Sequence, residues 1–260
     1  MLILIAESKT MKPCDCLVDR EDFLCHRPIF DSEAGEIMKS LTAMSQEELA
    51  ARSRLSPQMV RRIRQLIYEF PNKALGAEAI EVFTGVVFKA FGYQTLDSHS
   101  RLETADRVRI ISSLYGWLHP NDLIKAYRFD FTTPLAPEGK TFAAYWRKAV
   151  TDCLESELHE KGCTEVLDLL PSDAARLIDW KRITHFAKVC KADFREIRPG
   201  GETRTPNSIR LKTLRGQLLR QIVTDSVSDL LSLGSVSSES YIGQGYDSSA
   251  DKIIFYTASD

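Results

Sequence analysis

The chain has no long apolar segment. None of its 260 residues falls in an apolar run that approaches the ~20 residues needed to cross a bilayer. No basic residue precedes the short apolar stretch at the start of the sequence, which is unlike a secretory signal. We therefore expect a cytoplasmic protein with no membrane partner, and we interpret Met1–Ala6 as a buried strand.

The sequence also lacks the glycine-rich fingerprints of common cofactor sites. It contains neither a P-loop pattern nor a dinucleotide-binding pattern, so no cofactor is expected. Its six cysteines, at positions 14, 16, 25, 153, 163 and 190, lack the paired spacing of a zinc site. We expect reduced, unpaired thiols and no metal centre, and redox sensing by Cys14, Cys16 or Cys25 stays open.

An excess of positive charge is absent as well. The chain carries 34 Lys and Arg residues against 36 Asp and Glu residues, which gives a net charge of −2. Any nucleic-acid surface must therefore come from local clusters of basic residues. Three such clusters exist, at 52–64, 101–109 and 204–220. Each is either a solvated helix face or a phosphate-binding surface.

No internal repeat, low-complexity tract or linker divides the chain, so residues 1–260 are expected to form a single domain. Short apolar runs predict strands, and longer stretches with helical spacing predict helices. The predicted strands are 2–5, 79–83, 108–111, 166–170, 186–190 and 253–257; the predicted helices are 31–44, 46–52, 57–70, 142–159 and 208–223. Strands interspersed with helices indicate a mixed α/β fold. The glycine-containing stretch 241–246 is interpreted as a turn.

Two of these helices form a short pair at 45–70. Ser45 followed by Glu48 is a capping box, and Ser56 followed by Pro57 is a second helix start. The turn between the helices contains Arg54, and arginines lie largely off the apolar face of the second helix. Such a pair can present a basic edge to duplex DNA.

Three further groups of residues could carry chemistry. Lys9 and Thr10 follow the first strand, at the edge where open α/β sheets place ligand contacts. Lys212 and Arg215 share a helix face, and the adjacent Gly216 suggests close approach of a backbone or a ligand. The alternatives are an ordinary surface lysine and an exposed cationic helix face.

The third group lies in 108–130, which reads VRIISSLYGWLHPNDLIKAYRFD. Ser113, Tyr115 and Gly116 could form a tight turn whose backbone N–H groups bind an anion. Alternatively, the aromatic residues there pack in the core and the turn serves only the fold. Asp122 and Arg128 could pair with each other or with a ligand.

This stretch closely resembles the signature of the YaaA family of peroxide-stress proteins, approximately LSGLYGxLRPxDLIxPYR. Lys9 and Thr10 match the end of the family's opening pattern, approximately MLILISPAKT. Lys212, Arg215 and Gly216 match its KxxRG element. The resemblance covers essentially the whole chain, with departures at Thr84, Val86, Ala174 and Ala175, where the family carries lysine, aspartate, an acidic residue and tyrosine.

The resemblance implies a YaaA-type domain with a central mixed sheet, surrounding helices and a helix–hairpin–helix-like pair at 45–70. It implies a DNA-binding protein of the peroxide-stress response that limits iron-dependent DNA damage, with double-stranded or structured DNA as the partner. The residues expected to bind nucleic acid or phosphate are Lys9, Thr10, Ser113, Tyr115, Gly116, Arg128, Lys212 and Arg215.

The alternative hypothesis is an enzyme that acts on a nucleotide, a nucleoside or a damaged base. In that case Lys9 is the nucleophile or the electrophilic stabiliser, and Asp122 is a candidate general base. Lys212 and Arg215 would hold the phosphate in a basic cleft. No catalytic fingerprint in the sequence identifies a reaction.

Overall fold

The computed structural model describes residues 1–12, 26–72, 76–247 and 251–258. Within this part of the chain eleven strands alternate irregularly with helices. The strands are β1 Leu2–Ala6, β2 Ala77–Glu78, β3 Val108–Ser112, β4 Gly116–Leu118, β5 Leu123–Ile124, β6 Glu165–Asp168, β7 Lys188–Ile197, β8 Thr203–Arg204, β9 Ser237–Ser238, β10 Tyr241–Asp247 and β11 Lys252–Ala258. The cysteines at 14, 16 and 25 lie outside the described residues.

Ten α-helices surround these strands in the described ranges. They are α1 Asp31–Thr42, α2 Gln46–Ser53, α3 Pro57–Glu69, α4 Ala79–Val82, α5 Val86–Phe91, α6 Ser98–Arg107, α7 Phe142–Glu160, α8 Trp180–Ile183, α9 Ser208–Thr224 and α10 Leu230–Leu233. Short 3-10 helices cover Phe70–Asn72, Tyr93–Thr95, Pro137–Gly139 and Ala174–Leu177. None of the described helices is both long and apolar enough to cross a membrane.

Nine of the strands form one sheet, in the order β4-β3-β1-β6-β7-β11-β10-β9, with β8 paired to β7. The five strands β3, β1, β6, β7 and β11 run parallel, and antiparallel strands complete both ends. Ile3 of β1 pairs with Val108 on one side and with Leu167 on the other. The sheet is therefore mixed, as the resemblance to the YaaA family implies, and β1 lies inside it.

The apolar run at the start of the chain is explained by this position. Residues 2 to 5 are at most 1% exposed. A parallel strand covered on both faces reads as a continuous apolar run and not as an alternating pattern. The five residues of β3 are buried as well, although they include Arg109, whose charge is paired with Glu157.

The predicted helix pair is present. The Ser45 hydroxyl accepts a hydrogen bond from the Glu48 N–H at 3.1 Å, and the Ser56 hydroxyl accepts one from Met59. Between the helices, Arg54 takes a left-handed conformation with φ +55° and donates its N–H to Ala50. A non-glycine residue thus ends α2, and the assignment of the pair as a helix–hairpin–helix element stays a prediction.

Two element predictions were wrong. Within the run 79–83, Ala79–Val82 form helix α4, because the N–H groups of Ala79 and Ile80 donate to the carbonyls of Asp122 and Pro120, which fixes a helical start. A short buried apolar run does not distinguish helix from strand by itself. The stretch 241–246 is strand β10, which pairs antiparallel with β11 and changes register between Gly243 and Tyr246.

Candidate functional site

A cavity of about 470 Å³ lies at the carboxyl ends of β1 and β6. From β1 the chain continues to β3 on one side, and from β6 it continues to β7 on the other side. The direction of strand addition thus reverses between β1 and β6. Open α/β sheets place ligands in the crevice outside such a reversal. Residues 7–10 after β1 and Leu169, Pro171 and Asp173 after β6 line this cavity.

One face of helix α9 forms a wall of the cavity. Ser208, Lys212 and Arg215 all line it, and their spacing of four and three residues places them on one helix face. The Asn207 side chain begins the helix by accepting hydrogen bonds from Ile209 and Arg210 at 3.0 and 2.9 Å. The predicted partners Lys212 and Arg215 are thus brought to one site.

Arg215 is a buried cation. The residue is 9% exposed, and among the described residues its Nε atom has no hydrogen-bond partner. Burial lowers the pKa of the Arg215 guanidinium, and the carboxylates of Asp168 and Asp173 oppose this effect. In the part of the chain that the structure describes, Arg215 forms no ion pair. Its charge therefore has only longer-range compensation.

Gly216 explains how α9 reaches this position. A Cβ atom added at Gly216 would lie 2.3 Å from the Val87 carbonyl oxygen and 2.7 Å from the Ala90 Cβ. The expected close approach of another backbone is confirmed, and that backbone is helix α5. Because Val86 and Val87 of α5 also line the cavity, this contact joins two of its walls.

Glu7 lines the cavity and was not among the predicted site residues, and the same is true of Asp130, Asp173 and Ser208. The Glu7 carboxylate accepts hydrogen bonds from the Ser113 N–H at 2.8 Å and the Ser113 hydroxyl at 2.6 Å, and a short one from the Tyr127 hydroxyl. Burial raises the pKa of Glu7 to about 7, although these hydrogen bonds lower it in part. The available signal was a polar side chain directly after a buried strand.

The turn at 113–116 holds the Glu7 side chain in place through Ser113. The Ser113 N–H donates to Glu7, and the Tyr115 N–H donates to the Ser112 hydroxyl at 2.9 Å. Gly116 has φ +66°, and a Cβ there would lie 2.9 Å from the Trp146 ring. The predicted anion at this turn is therefore a carboxylate of the chain itself. Ser113, Tyr115 and Gly116 do not line the cavity, and the aromatic residues are buried in the core.

Lys9 and Thr10 do line the cavity. The Lys9 ammonium forms an ion pair with Asp130, and its carbonyl accepts a hydrogen bond from Arg128. Arg128 itself lines an adjoining groove of about 200 Å³ together with Arg62. Lys9 belongs to both depressions, so it connects the cavity with the edge of α3.

Asp122 lies elsewhere. Its carboxylate is buried and accepts a hydrogen bond from the His119 N–H at 2.7 Å. Burial raises the pKa of Asp122 to about 7. Of the two alternatives for Asp122 and Arg128, the structure does not show pairing with each other, because Arg128 donates to the Lys9 carbonyl and Asp122 closes the turn at 119–122. Asp122 is not among the residues that line the cavity.

Comparison with known proteins supports the resemblance. The family described as "Peroxide stress protein YaaA" matches residues 1–245. The chain belongs to this family. A UPF0246 protein of Parabacteroides distasonis is 28% identical over 98% of this chain and 99% of its own length. UPF0246 proteins of Francisella tularensis subsp. novicida and Bordetella petrii are 26% and 29% identical, each over 88% of this chain and over 89% and 90% of their own lengths, respectively.

The departures from the YaaA family pattern differ in their relation to the site. Val86 lines the cavity, so an apolar side chain stands where the pattern has aspartate. Ala174 is fully buried at the start of a 3-10 helix, and Ala175 follows it. Thr84 donates its N–H to the Thr10 carbonyl at 2.9 Å. Among the described residues no group of three or more His, Cys, Asp or Glu side chains could hold a metal ion.

Proposed function

We propose that this member of the YaaA family is a cytoplasmic DNA-binding protein that limits iron-dependent oxidative damage to DNA. The observation that carries the proposal is the series of cations across two adjoining depressions that share Lys9. These cations are Lys9, Arg62, Arg128, Lys212 and Arg215. A series of this kind suits the repeating phosphates of a nucleic-acid backbone.

The charge of these side chains is partly free to act on a ligand. Within the described ranges, Arg62, Lys212 and Arg215 form no ion pair with a carboxylate. Lys9 is paired with Asp130, and Arg128 donates to a carbonyl. Because the net charge of the chain is −2, this local concentration of cations must supply the attraction to phosphate.

The helix pair supplies a second contact in this proposal. Arg62 lies on α3, and it is exposed, as are Arg54, Arg61 and Arg64. α3 buries Val60, Ile63 and Ile67 on its other face. These arginines are therefore exposed to solvent, and Arg62 among them lines the groove that adjoins the cavity.

The test is fluorescence anisotropy with labelled duplex, single-stranded and gapped DNA over a salt series. Wild type is compared with Lys212→Ala and Arg62→Ala, two exposed cations of the surface. Lys181→Ala is the matched control, since Lys181 is exposed on α8 and lies outside both depressions. Each phosphate contact that is lost should reduce the slope of log affinity against log salt by about 0.9 on duplex DNA.

The proposal requires a salt-dependent affinity for DNA and a smaller slope in Lys212→Ala and Arg62→Ala than in wild type. Lys181→Ala should retain the wild-type slope. Weak binding with no salt dependence would refute DNA binding. Equal slopes in all four proteins would refute this surface as the binding site.

A second candidate function is an enzyme that acts on a nucleotide, a nucleoside or a damaged base. The observation that favours it is Glu7, a carboxyl group in the cavity with a pKa of about 7, which suits proton transfer at neutral pH. Incubation with nucleotides, nucleosides and oligonucleotides that carry a damaged base, followed by mass spectrometry, tests it. Turnover should be lost in Glu7→Gln, and absence of any turnover by wild type speaks against this candidate.

A further inference from the structure

We propose that the cavity beside α9 binds one phosphorylated nucleotide unit, with Lys212 and Arg215 on its phosphate and its base against the apolar wall. This inference rests on the proposed function in one respect, because both use the cations of α9. It differs in the ligand, which is a single nucleotide within a cavity and not the backbone of a duplex on a surface.

Helix α9 supplies the groups that would bind the phosphate. A hydroxyl, an ammonium and a guanidinium lie on one face of the helix, at Ser208, Lys212 and Arg215. Arg215 is 9% exposed and keeps an Nε atom without a hydrogen-bond partner in the described part of the chain. A buried, incompletely satisfied guanidinium is costly unless an anion completes its hydrogen bonds. A phosphate oxygen is the acceptor with the matching charge.

The opposite walls suit a base. Apolar side chains form most of the remaining lining, from β1, α5 and the loops after β6 and Phe129. They are Ile5, Ala6, Val86, Val87, Phe88, Phe131, Leu169 and Pro171. Polar residues also lie in this part of the lining: Glu7, Ser8, Lys9, Thr10, Asp130 and Asp173. Among them, the carboxyl of Glu7 can hydrogen-bond the edge of a base. An apolar lining with a few placed polar groups is the usual composition of a small-molecule site.

The size of the cavity also fits. The cavity volume of about 470 Å³ lies within the range of ligand-binding clefts.

The phosphorylated nucleotide unit can come from two sources, which are a free nucleoside monophosphate and the phosphorylated end of a DNA strand. Isothermal titration calorimetry of the full chain separates them. The probes are adenosine and thymidine 5′-monophosphates, the corresponding nucleosides, inorganic phosphate, and a short single strand with or without a 5′-phosphate. The variants are Arg215→Met, which keeps an apolar stem, and Lys212→Ala, with Lys181→Ala as the control.

The expected result is binding of the monophosphates, with affinity reduced roughly tenfold or more for the nucleosides and for inorganic phosphate, and in both cavity variants. Lys181→Ala should bind as wild type does. If Arg215→Met does not fold, as judged by circular dichroism, Lys212→Ala alone decides the point. Preference for the 5′-phosphorylated strand over the free monophosphate identifies a DNA end as the source, and the reverse preference identifies a free nucleotide.

No heat of binding with any monophosphate or phosphorylated strand at millimolar concentration overturns the inference. Equal affinity for a monophosphate and its nucleoside also overturns it, as does equal affinity for inorganic phosphate. These outcomes are distinguishable from failure of the proposed function. Monophosphate binding without salt-dependent duplex binding would support the inference and refute the DNA-binding proposal. Salt-dependent duplex binding without monophosphate binding would refute the inference and support the DNA-binding proposal.

Discussion

The carboxylate of Glu7 accepts two hydrogen bonds from Ser113, one from the backbone N–H at 2.8 Å and one from the hydroxyl at 2.6 Å. Glu7 follows β1, and Ser113 follows β3, its parallel neighbour. The contact therefore ties together the ends of two central strands. It also places a carboxyl group with a pKa of about 7 in the cavity, where its protonation changes near neutral pH.

Glu7 should make stability depend on pH. The folded state raises the pKa of Glu7 from 4.5 to about 7, so it binds this proton more tightly than the unfolded chain does. The associated stability is fully present below pH 4.5 and is lost as the pH rises through about 7. The full difference corresponds to roughly 3 kcal/mol as an upper bound. Urea denaturation at pH 5 and pH 8 measures it.

In that experiment Glu7→Gln should lose less stability than wild type between the two pH values. Glu239→Gln, which changes an exposed glutamate without a described hydrogen bond, should behave as wild type. An unchanged pH dependence in Glu7→Gln would show that another group titrates in this window.

Gly216→Ala should destabilise the protein. Alanine is favoured over glycine in a helix by up to about 1 kcal/mol, but here its Cβ would lie 2.3 Å from the Val87 carbonyl oxygen. Overpacking of this kind typically costs about 1–3 kcal/mol, so we expect a net loss. Gly35→Ala is the matched control within α1, because beyond the adjacent residues and the backbone of its own helix no described atom lies within 4 Å of its Cβ position, and it should be neutral or stabilising. Thermal unfolding of both variants measures these changes in stability. A stabilised Gly216→Ala would contradict the close contact between α9 and α5.

The buried pair Arg109 and Glu157 should be sensitive to loss of one partner. Arg109 is 2% exposed, and its Nε donates to the Glu157 carboxylate at 2.8 Å. Glu157→Gln leaves a buried charge without its counterion, which typically costs about 3–5 kcal/mol. The double variant Arg109→Met/Glu157→Leu should lose less free energy of unfolding than the sum of the losses in Arg109→Met and Glu157→Leu, since no charge of the pair remains buried.

Urea denaturation and a double-mutant cycle measure this coupling. Lys148→Ala serves as the surface comparison, because Lys148 is 86% exposed in its ion pair with Asp152. It should change the free energy of unfolding by less than about 1 kcal/mol. Additive effects of the Arg109 and Glu157 changes would mean that the pair does not act as a unit.

Cys153 and Cys190 should resist oxidation by peroxide in the folded protein. Burial raises the pKa of Cys153 to about 11 and that of Cys190 to about 12, so little reactive thiolate forms at neutral pH. Peptide mass spectrometry after dilute hydrogen peroxide should find both thiols unmodified, while the urea-unfolded chain is modified at each. Sulfenic acid trapped on either cysteine in the native protein would overturn this expectation.

Local sequence predicted much of the framework. The helix starts at Ser45 and Ser56 follow from side chains that accept a hydrogen bond from the backbone N–H three residues further on. The strand at Leu2–Ala6 follows from an uninterrupted apolar run. The prediction failed where the local signals were ambiguous, as at α4, whose first N–H groups donate to carbonyls forty or more residues further along the chain.

The candidate site likewise contains residues that the sequence predicted and residues that it did not. Lys9, Lys212 and Arg215 were predicted from spacing and from the resemblance to the YaaA family, and all three line one cavity. Glu7 was not predicted, because its role in the site depends on Ser113, which lies 106 residues away in the chain. The turn at Ser113 does bind a carboxylate, and it is that of Glu7.

The sequence by itself determined the elements whose causes are local: apolar runs, helix caps, the shared face of Lys212 and Arg215, and family membership. Only the tertiary structure decided which groups meet. It decided that Gly216 admits the backbone of α5, that Arg215 is buried without an ion pair in the described chain, and that Asp122 lies away from the cavity. The physical reason is that burial and pairing depend on contacts between distant segments, and single-sequence spacing carries no information about them.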